Sequence, residues 1–278
     1  MNELHEKKGE SDRAEAGEEQ LDQLTPSETE QVETLGAVVD SEGEAAPGTM
    51  KIDLHCHSEA SHDCVTPLDL FPARCLARQV LVQAITDHNQ IWGAQKLKEK
   101  VEDQAEGAGR NLTVIVGEEV STSEGEIIGL FLEERVEPGL SPEETIEQIK
   151  AQGGLVLLPH GFDPLKRWRL KPYAIERIAS SIDIVETFNA RISQPRWNQA
   201  AVSWAQKHGV LMSAGSDAHT LADIGSAWVE VPRQAIHSPE DLVEALRDGT
   251  PVGQWTHPGL AFAYKLWDRT RRKLFPPQ

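Results

Sequence analysis

The stretch Lys51-Ile52-Asp53-Leu54-His55-Cys56-His57-Ser58 decides the reading of this chain. A short apolar run ends in two histidines spaced i, i+2. Alternate side chains of a strand point to one side, so the two imidazoles face together and Cys56 turns the other way, into packing. Neutral imidazoles held like this can share a divalent metal. Three later runs end in the same residue types: Ala84-Ile85-Thr86-Asp87-His88, Leu155-Val156-Leu157-Leu158-Pro159-His160 and Leu211-Met212-Ser213-Ala214-Gly215-Ser216-Asp217-Ala218-His219. One such ending is ordinary. Four of them predict strand ends gathered round a polynuclear metal centre.

Outward from this stretch, apolar runs of strand length recur at 52–54, 80–85, 112–116, 126–132, 154–158, 182–188, 210–214 and 227–231. Helix-like stretches alternate with several of them. Residues 67–78 carry Thr66 as a cap and Pro67 in the first turn. Residues 94–105 have helical charge spacing. Ser141-Pro142-Glu143-Glu144 supplies a cap, a first-turn proline and two acids at the positive end of a helix over 145–152. A helix over 197–208 ends against Gly209, and Ser238-Pro239-Glu240-Asp241 starts another over 242–247. The alternation predicts an α/β barrel or a doubly wound sheet. In a barrel of parallel strands, functional side chains collect at the C-terminal strand ends. His55, His57, His88, Glu119, His160, Asp217 and His219 all fall at such ends.

The 278 residues suffice for one large α/β domain. Residues 1–49 hold fourteen acids against three bases, a net of −11 out of the total −18. This segment lacks aromatics and apolar periodicity, so it is expected to be a disordered acidic tail, solubilising rather than docking. Residues 50–255 read as a single barrel domain. Residues 256–278 mix Phe262, Tyr264 and Trp267 with Arg269, Arg271 and Arg272, and read as a basic, aromatic extension packed on the barrel. Neither the tail nor the remainder, at −7, offers the positive footprint of a nucleic-acid binder. No apolar run approaches the ~20 residues that span a bilayer. The first residues have no apolar secretory region, and Cys56, Cys64 and Cys75 have no framework spacing. Reduced thiols in a cytoplasm are the expectation.

Imidazoles with carboxylates suit Zn, Mn or Fe, and one carboxylate can bridge two ions. Ions a few ångströms apart can hold a phosphoryl oxygen and generate a hydroxide near neutral pH. A lone histidine at a strand end is more often a surface or hydrogen-bonded residue. Asp87 alone could be a cap, and Glu119 alone could be solvated. The series as a whole, at consistent topological positions, is what argues for metal.

The ordered set Asp53-Leu54-His55-Cys56-His57-Ser58, Thr86-Asp87-His88-Asn89, Gly117-Glu118-Glu119-Val120-Ser121-Thr122, Pro159-His160-Gly161-Phe162 and Ser216-Asp217-Ala218-His219 resembles the successive motifs of the polymerase and histidinol phosphatase (PHP) superfamily. The resemblance spans about Lys51 to Val231. It implies a distorted (β/α)7 TIM-like barrel, a centre of two or three divalent ions and phosphoester hydrolysis. It also implies three subsites. His55, His57, Glu119 and Asp217 hold one ion, and Glu119 bridges to a second ion held by His160. His88 and His219 hold a third, with a ligand from the loop Ser61-His62-Asp63-Cys64. Many members have Ser-Asp-Gly in that loop; here either His62 or Asp63 serves, and the offset from His55 favours Asp63. Some relatives place a further histidine near Glu186-Thr187-Phe188-Asn189. This chain has none, so Glu186, Asn189 or water completes the second ion, or fewer ions bind.

A phosphoester also needs cations. Arg191, directly after the strand carrying Asn189, is a phosphate-binding and catalytic candidate, with a surface ion pair as the alternative. Lys166, Arg167 and Arg169 follow His160; a solvated loop is the plainer reading of them, and Lys166 and Arg167 stand with Asn189 as substrate-binding candidates. Asp217 or His219 could relay a proton. Trp92, Trp168 and Trp197 could stack on a base, although packing is the default for tryptophan. The expected function is metal-dependent hydrolysis of a small phosphomonoester, a nucleotide or a sugar phosphate. The alternatives are a metal-binding regulatory module without catalysis and a 3′–5′ exonuclease. A metal-dependent amidohydrolase is disfavoured, because no strand ends in a metal-bridging lysine.

Overall fold

The computed structural model describes residues 48–103 and 111–257, together with positions 259, 266, 267 and 270. The acidic tail, as far as residue 47, and most of the extension after 255 lie outside the described residues. The order of elements is β1 (Thr49–Asp53), α1 (Phe71–Arg78), β2 (Val80–Ile85), α2 (Trp92–Glu102), β3 (Thr113–Thr122), β4 (Gly125–Leu130), α3 (Pro142–Ala151), β5 (Leu155–Leu158), α4 (Pro172–Ile178), β6 (Ile184–Asn189), α5 (Arg196–His208), β7 (Leu211–Gly215), β8 (Ala227–Pro232), α6 (Pro239–Arg247) and β9 (Thr250–Gly253).

All eight apolar runs form strands. The nine strands make one sheet in the order β7-β6-β5-β4-β3-β2-β1-β8-β9. Pairing is parallel for β1–β2, β2–β3, β5–β6 and β6–β7. It is antiparallel on both sides of β4, and β8 is antiparallel to both β1 and β9. β7, at one end of this order, also meets the C-terminal end of β1: the Leu54 N–H donates to Ala214 O at 3.3 Å and the Asp217 N–H to His55 O at 2.8 Å. The sheet is therefore a nearly closed barrel, as the α/β pattern and the family resemblance predict.

Strand alternation divides the core in two. Ile52, Val82, Ala84, Ile115, Ile128, Leu130, Leu157, Ile184 and Val229 fill the barrel interior, continuous with Leu242 and Leu246 of α6. Val80, Val114, Val116, Val156 and Val185 face outward onto Phe71, Leu97, Ile149, Ile175 and Trp204 of the helices. At about 1.5–3 kcal/mol for each fully buried aliphatic or Phe side chain, these two layers are the main stabilising term.

Local signals set most helix ends. Ser141 and Ser238 each form a capping box, with Glu144 and Asp241 respectively. Gly209 takes φ 67° to end α5. Thr66 does not cap a helix: a 3-10 turn occupies Leu68–Leu70, α1 starts at Phe71, and the Thr66 hydroxyl accepts from the Cys64 thiol instead. The short helix α4 and the edge strand β9 are additions to the expected set. Neither has a long periodic pattern to announce it. Cys56, Cys64 and Cys75 are buried and free, and Cys56 packs among the outer core residues, away from the imidazoles.

Candidate metal centre

Three buried aspartates shape the mouth of the barrel, and each grips a serine of another loop. Asp53 accepts from the Ser216 N–H at 3.0 Å and the Ser216 hydroxyl at 2.6 Å, as well as the His55 N–H at 3.2 Å. Asp87 accepts from the N–H and hydroxyl of Ser58, both at 2.6 Å. Asp163 does the same to Ser193, again at 2.6 Å for both. Ser58 follows His57, Asp87 precedes His88, and Ser216 precedes Asp217. These clamps therefore set the loops that carry the candidate ligands. Two glycines give room: a Cβ on Gly93 would lie 2.5 Å from Asp87 Oδ2, and one on Gly215 would lie 2.3 Å from both Glu186 Oε1 and His55 Cβ.

Above the clamps the imidazoles converge. His55 and His57 meet at 3.2 Å between Nε2 atoms, on one side as the spacing predicts. Glu119 lies at the middle of the group. Its Oε2 is 3.4 Å from His55 Nε2, 3.3 Å from His57 Nε2 and 3.2 Å from His88 Nδ1, and its Oε1 is 3.0 Å from His160 Nε2. Asp217 Oδ1 is 3.5 Å from His57 Nε2 and 3.4 Å from His219 Nδ1. Asp63 reaches His219 Nε2 at 2.8 Å and His88 Nε2 at 3.8 Å, whereas His62 is exposed and touches His88 only through its ring. Four overlapping groups have ligand atoms within 4.8 Å of one another: His55–His57–Asp217, His55–Glu119–His160, His57–His88–His219 and His88–Glu119–Glu126.

Glu186 and Asn189 stand behind this cluster. Glu186 Oε1 is 2.9 Å from His55 Nδ1, and its Oε2 accepts from the His160 N–H at 2.7 Å and the Asn189 amide at 3.0 Å. With both oxygens engaged, Glu186 orients His55, the arrangement by which a carboxylate fixes an imidazole's tautomer and raises its basicity. The Asn189 amide also reaches Asp217 Oδ2 at 3.3 Å, and its oxygen takes the Arg191 N–H.

Of the expected cations, Lys166 enters the site and pairs with Asp217 Oδ2. Arg191 donates to the Asp217 carbonyl at 3.0 Å. Arg167 is exposed, its guanidinium 4.9 Å over the Trp168 ring, and Arg169 donates to Gly161 O at 3.5 Å. Packing fails as a reading of two tryptophans, since Trp92 and Trp168 are large exposed side chains.

Glu126 was not among the expected residues. It is buried, 3.6 Å from His88 Nδ1 and 3.9 Å from His160 Nε2. Ser121 pairs with Glu126 across the β3–β4 hairpin, which puts Glu126 on the same face as Glu119. The expected ligands fall at C-terminal strand ends. Because β4 runs antiparallel, its N-terminal end, with Glu126 as second residue, is the one that reaches the mouth. The short Thr122-Ser123-Glu124-Gly125 connection was the available signal, since a tight turn joins antiparallel strands only.

The charges are mutually dependent. Burial opposes protonation of His55, but Glu186, Glu119 and Asp217 outweigh it and hold its pKa well above the ordinary value. Burial would raise Asp217, yet Lys166 and His55 keep it well below the carboxylate range. Burial pushes His219 down to about 3, helped by His57 and Arg191. Burial, with Glu119 and Asp217 beside it, pushes Glu126 up to about 10. Asp63, Glu119 and Asp217 thus crowd negative charge into a small space and drive Glu126 toward its neutral form, and buried His160 Nδ1 has no hydrogen-bond partner. Imidazole and carboxylate donors packed this closely fit divalent cations.

Comparison with known proteins agrees. Residues 53–208 match the PHP domain, and residues 195–251 match the PHP-associated domain. The chain belongs to the PHP family. PHP-domain proteins bind divalent metals, and the clusters of this PHP chain could hold them. It is 33% identical to the uncharacterized protein MJ0417 of Methanocaldococcus jannaschii over 196 residues, covering 69% of this chain and 75% of that one. It is 40% identical to MJ1587 of the same organism over 151 residues, covering 51% and 82%. Among solved structures, PsfC from Pseudomonas syringae superposes with a TM-score of 0.57 at 18% identity, over 80% of this PHP chain and 99% of that one. A two-domain protein from Bacteroides vulgatus, containing a predicted PHP-like metal-dependent phosphoesterase, gives 0.58 at 17% identity over 79% and 67%. These two structures are shared folds. Among the described residues no helix is long and apolar enough to cross a membrane.

Proposed function

We propose that this PHP protein is a metal-dependent phosphoesterase acting on small phosphomonoesters. The observation that carries the reading is the convergence of His55, His57, His88, His160 and His219 on Glu119 and Asp217, with an ammonium, Lys166, already at the same place. Divalent ions supply Lewis acidity and lower the pKa of water, which is the chemistry phosphoester hydrolysis needs. His55, His57, Glu119 and Asp217 would hold one ion, and Glu119 with His160 a second. His88, His219 and Asp63 would hold a third, and Glu126 adds a carboxylate between His88 and His160.

The rest of the work falls to the chain's own groups. Glu186 holds His55 by its Nδ1 and so aims Nε2 at the ligand cluster. Lys166 and Arg191 come from two different loops and meet at Asp217. They would bind non-reacting phosphoryl oxygens and place the phosphorus over the cluster, the Arg through its planar fork. Lys166 carries the protons nearest to Asp217 Oδ2 and is the better placed group to meet a departing alkoxide. Both His219 nitrogens already have oxygens 2.8 Å away, Asp217 O and Asp63 Oδ2, so a relay through His219 is not part of the proposal.

The test is turnover of a phosphoester panel by protein loaded with Mn, Zn or Fe, alongside elemental analysis of ions per chain. His57→Ala should abolish turnover and lower the ion count. Lys166→Met should raise KM for phosphomonoesters. Equal rates for the parent and His57→Ala would end the enzymatic reading.

A further inference from the structure

We propose that Trp168 is a stacking platform for a nucleobase, so that the phosphoester this site prefers is a nucleotide rather than a bare sugar phosphate. The inference rests on the phosphoesterase reading and narrows its substrate class.

Residues 159–171 form the loop between β5 and α4. It is long, yet it is pinned repeatedly. The Leu165 N–H donates to Asp163 Oδ1 at 2.9 Å, and Asp163 itself is clamped to Ser193. The Arg169 N–H donates to Lys166 O at 3.2 Å, and the Lys171 N–H to Glu124 O at 2.9 Å. Most tellingly, the Glu126 N–H donates to Trp168 O at 2.8 Å. That bond ties the backbone of Trp168 directly to a residue of the metal-ligand cluster.

On this fixed loop, two residues apart, one side chain turns in and one turns out. Lys166 reaches Asp217, and Trp168 leaves 58% of its surface exposed. Trp204 and Trp228 are 7% and 5% exposed and the Trp255 indole N–H is bonded to Ile192 O, whereas Trp92 and Trp267, at 44% and 69%, are exposed as Trp168 is but lie outside this loop. A wide apolar ring held in water beside a charged mouth forgoes the burial that tryptophan normally provides. The Arg167 guanidinium lies over one face of the ring at 4.9 Å, a cation–π contact that leaves the other face for a ligand.

These features suit one chemistry. The Cα atoms of Lys166 and Trp168 are at most about 7 Å apart and the Trp168 carbonyl accepts from Glu126, so an ester whose phosphoryl group meets Lys166 would extend its organic part outward along this loop toward the ring. A nucleobase offers the flat π-face that an indole stacks on. A sugar alone offers none. Stacking of one base on an aromatic side chain commands roughly 5- to 150-fold in affinity.

The test uses the metal-loaded full chain with two probes that share the same reacting ester, AMP and ribose 5-phosphate. The expected result is a kcat/KM ratio favouring AMP by roughly 5- to 150-fold. That ratio should fall toward one in Trp168→Ala and be largely kept in Trp168→Phe. A ratio near one in the parent overturns the proposal. So does a ratio that Trp168→Ala leaves in place, in which case the ring serves a protein contact instead. If neither ester is hydrolysed, calorimetric binding of the same two probes is the readout. A preference for AMP lost in Trp168→Ala then retains the platform and retires the hydrolytic reading. Equal or undetectable binding of both retires the platform.

Discussion

Asp53, Asp87 and Asp163 each grip a serine through its N–H and its hydroxyl, whereas Glu119, Glu126 and Asp217 face imidazoles and, for Asp217, one ammonium. All six carboxylates are buried. The first three are answered by donors that the fold itself supplies, in short charge-assisted bonds. The second three keep acceptor capacity directed at one another's neighbours, where added positive charge lowers the free energy. The clamps belong to the stability of the mouth and the cluster to its chemistry. The two sets should therefore separate cleanly under mutation.

The largest effect is expected from the cluster. Glu119→Gln removes the carboxylate that touches four imidazoles. Turnover should fall by on the order of 10³-fold, equivalent to about 4 kcal/mol of barrier, while the metal-free protein melts within a few degrees of the parent. A large loss of melting temperature instead would place Glu119 with the clamps. The next effect should have the opposite signature. Asp87→Ala leaves the Ser58 N–H and hydroxyl unanswered in a buried site, and should cost about 2–4 kcal/mol in a denaturant titration. An unshifted midpoint would break the comparison from the other side.

Two smaller effects sharpen it. Glu186→Gln keeps the shape behind His55 but removes the charge that lifts its basicity. Metal affinity, measured by competition with a chelator, should drop roughly 10- to 100-fold, with little change in the fold. Glu118 is the outward neighbour of Glu119 on β3. Burial raises its pKa from 4.5 to about 7, although its Oε2 accepts from the Val136 N–H at 2.7 Å. A raised acid burdens the folded state above its folded pKa and not below its unfolded one. Glu118→Gln should thus leave stability unchanged near pH 4.5 and gain about 1–2 kcal/mol above pH 7, the gain growing through that window. A gain that is flat with pH would contradict the assignment.

Much of the fold could be read in the sequence because its signals are local. Apolar runs gave eight of the strands, and Ser-Pro-acid starts gave α3 and α6. The histidines were legible for the same reason, since i, i+2 spacing and strand ends are short-range facts. Glu126 was hidden by direction, as an antiparallel strand brings its N-terminal end to the mouth. The clamps were hidden by distance: Asp53 and Ser216 lie 163 residues apart, and nothing in either neighbourhood announces the other. Lys166 and Arg167 were equal candidates in the sequence, because charge alone does not separate a solvated side chain from the one turned inward.

The β3–β4 hairpin has a consequence for how this barrel tolerates insertions. Glu119 and Glu126 share a face only because Ser121 sits opposite Glu126 and Glu119 opposite Ile128. Slipping that pairing by one residue exchanges the faces of β4, turning Glu126 toward the helices and presenting Ile127 to the imidazoles. A single residue added between Gly125 and Glu126 would thus turn this carboxylate away from the imidazoles, even though nothing was deleted.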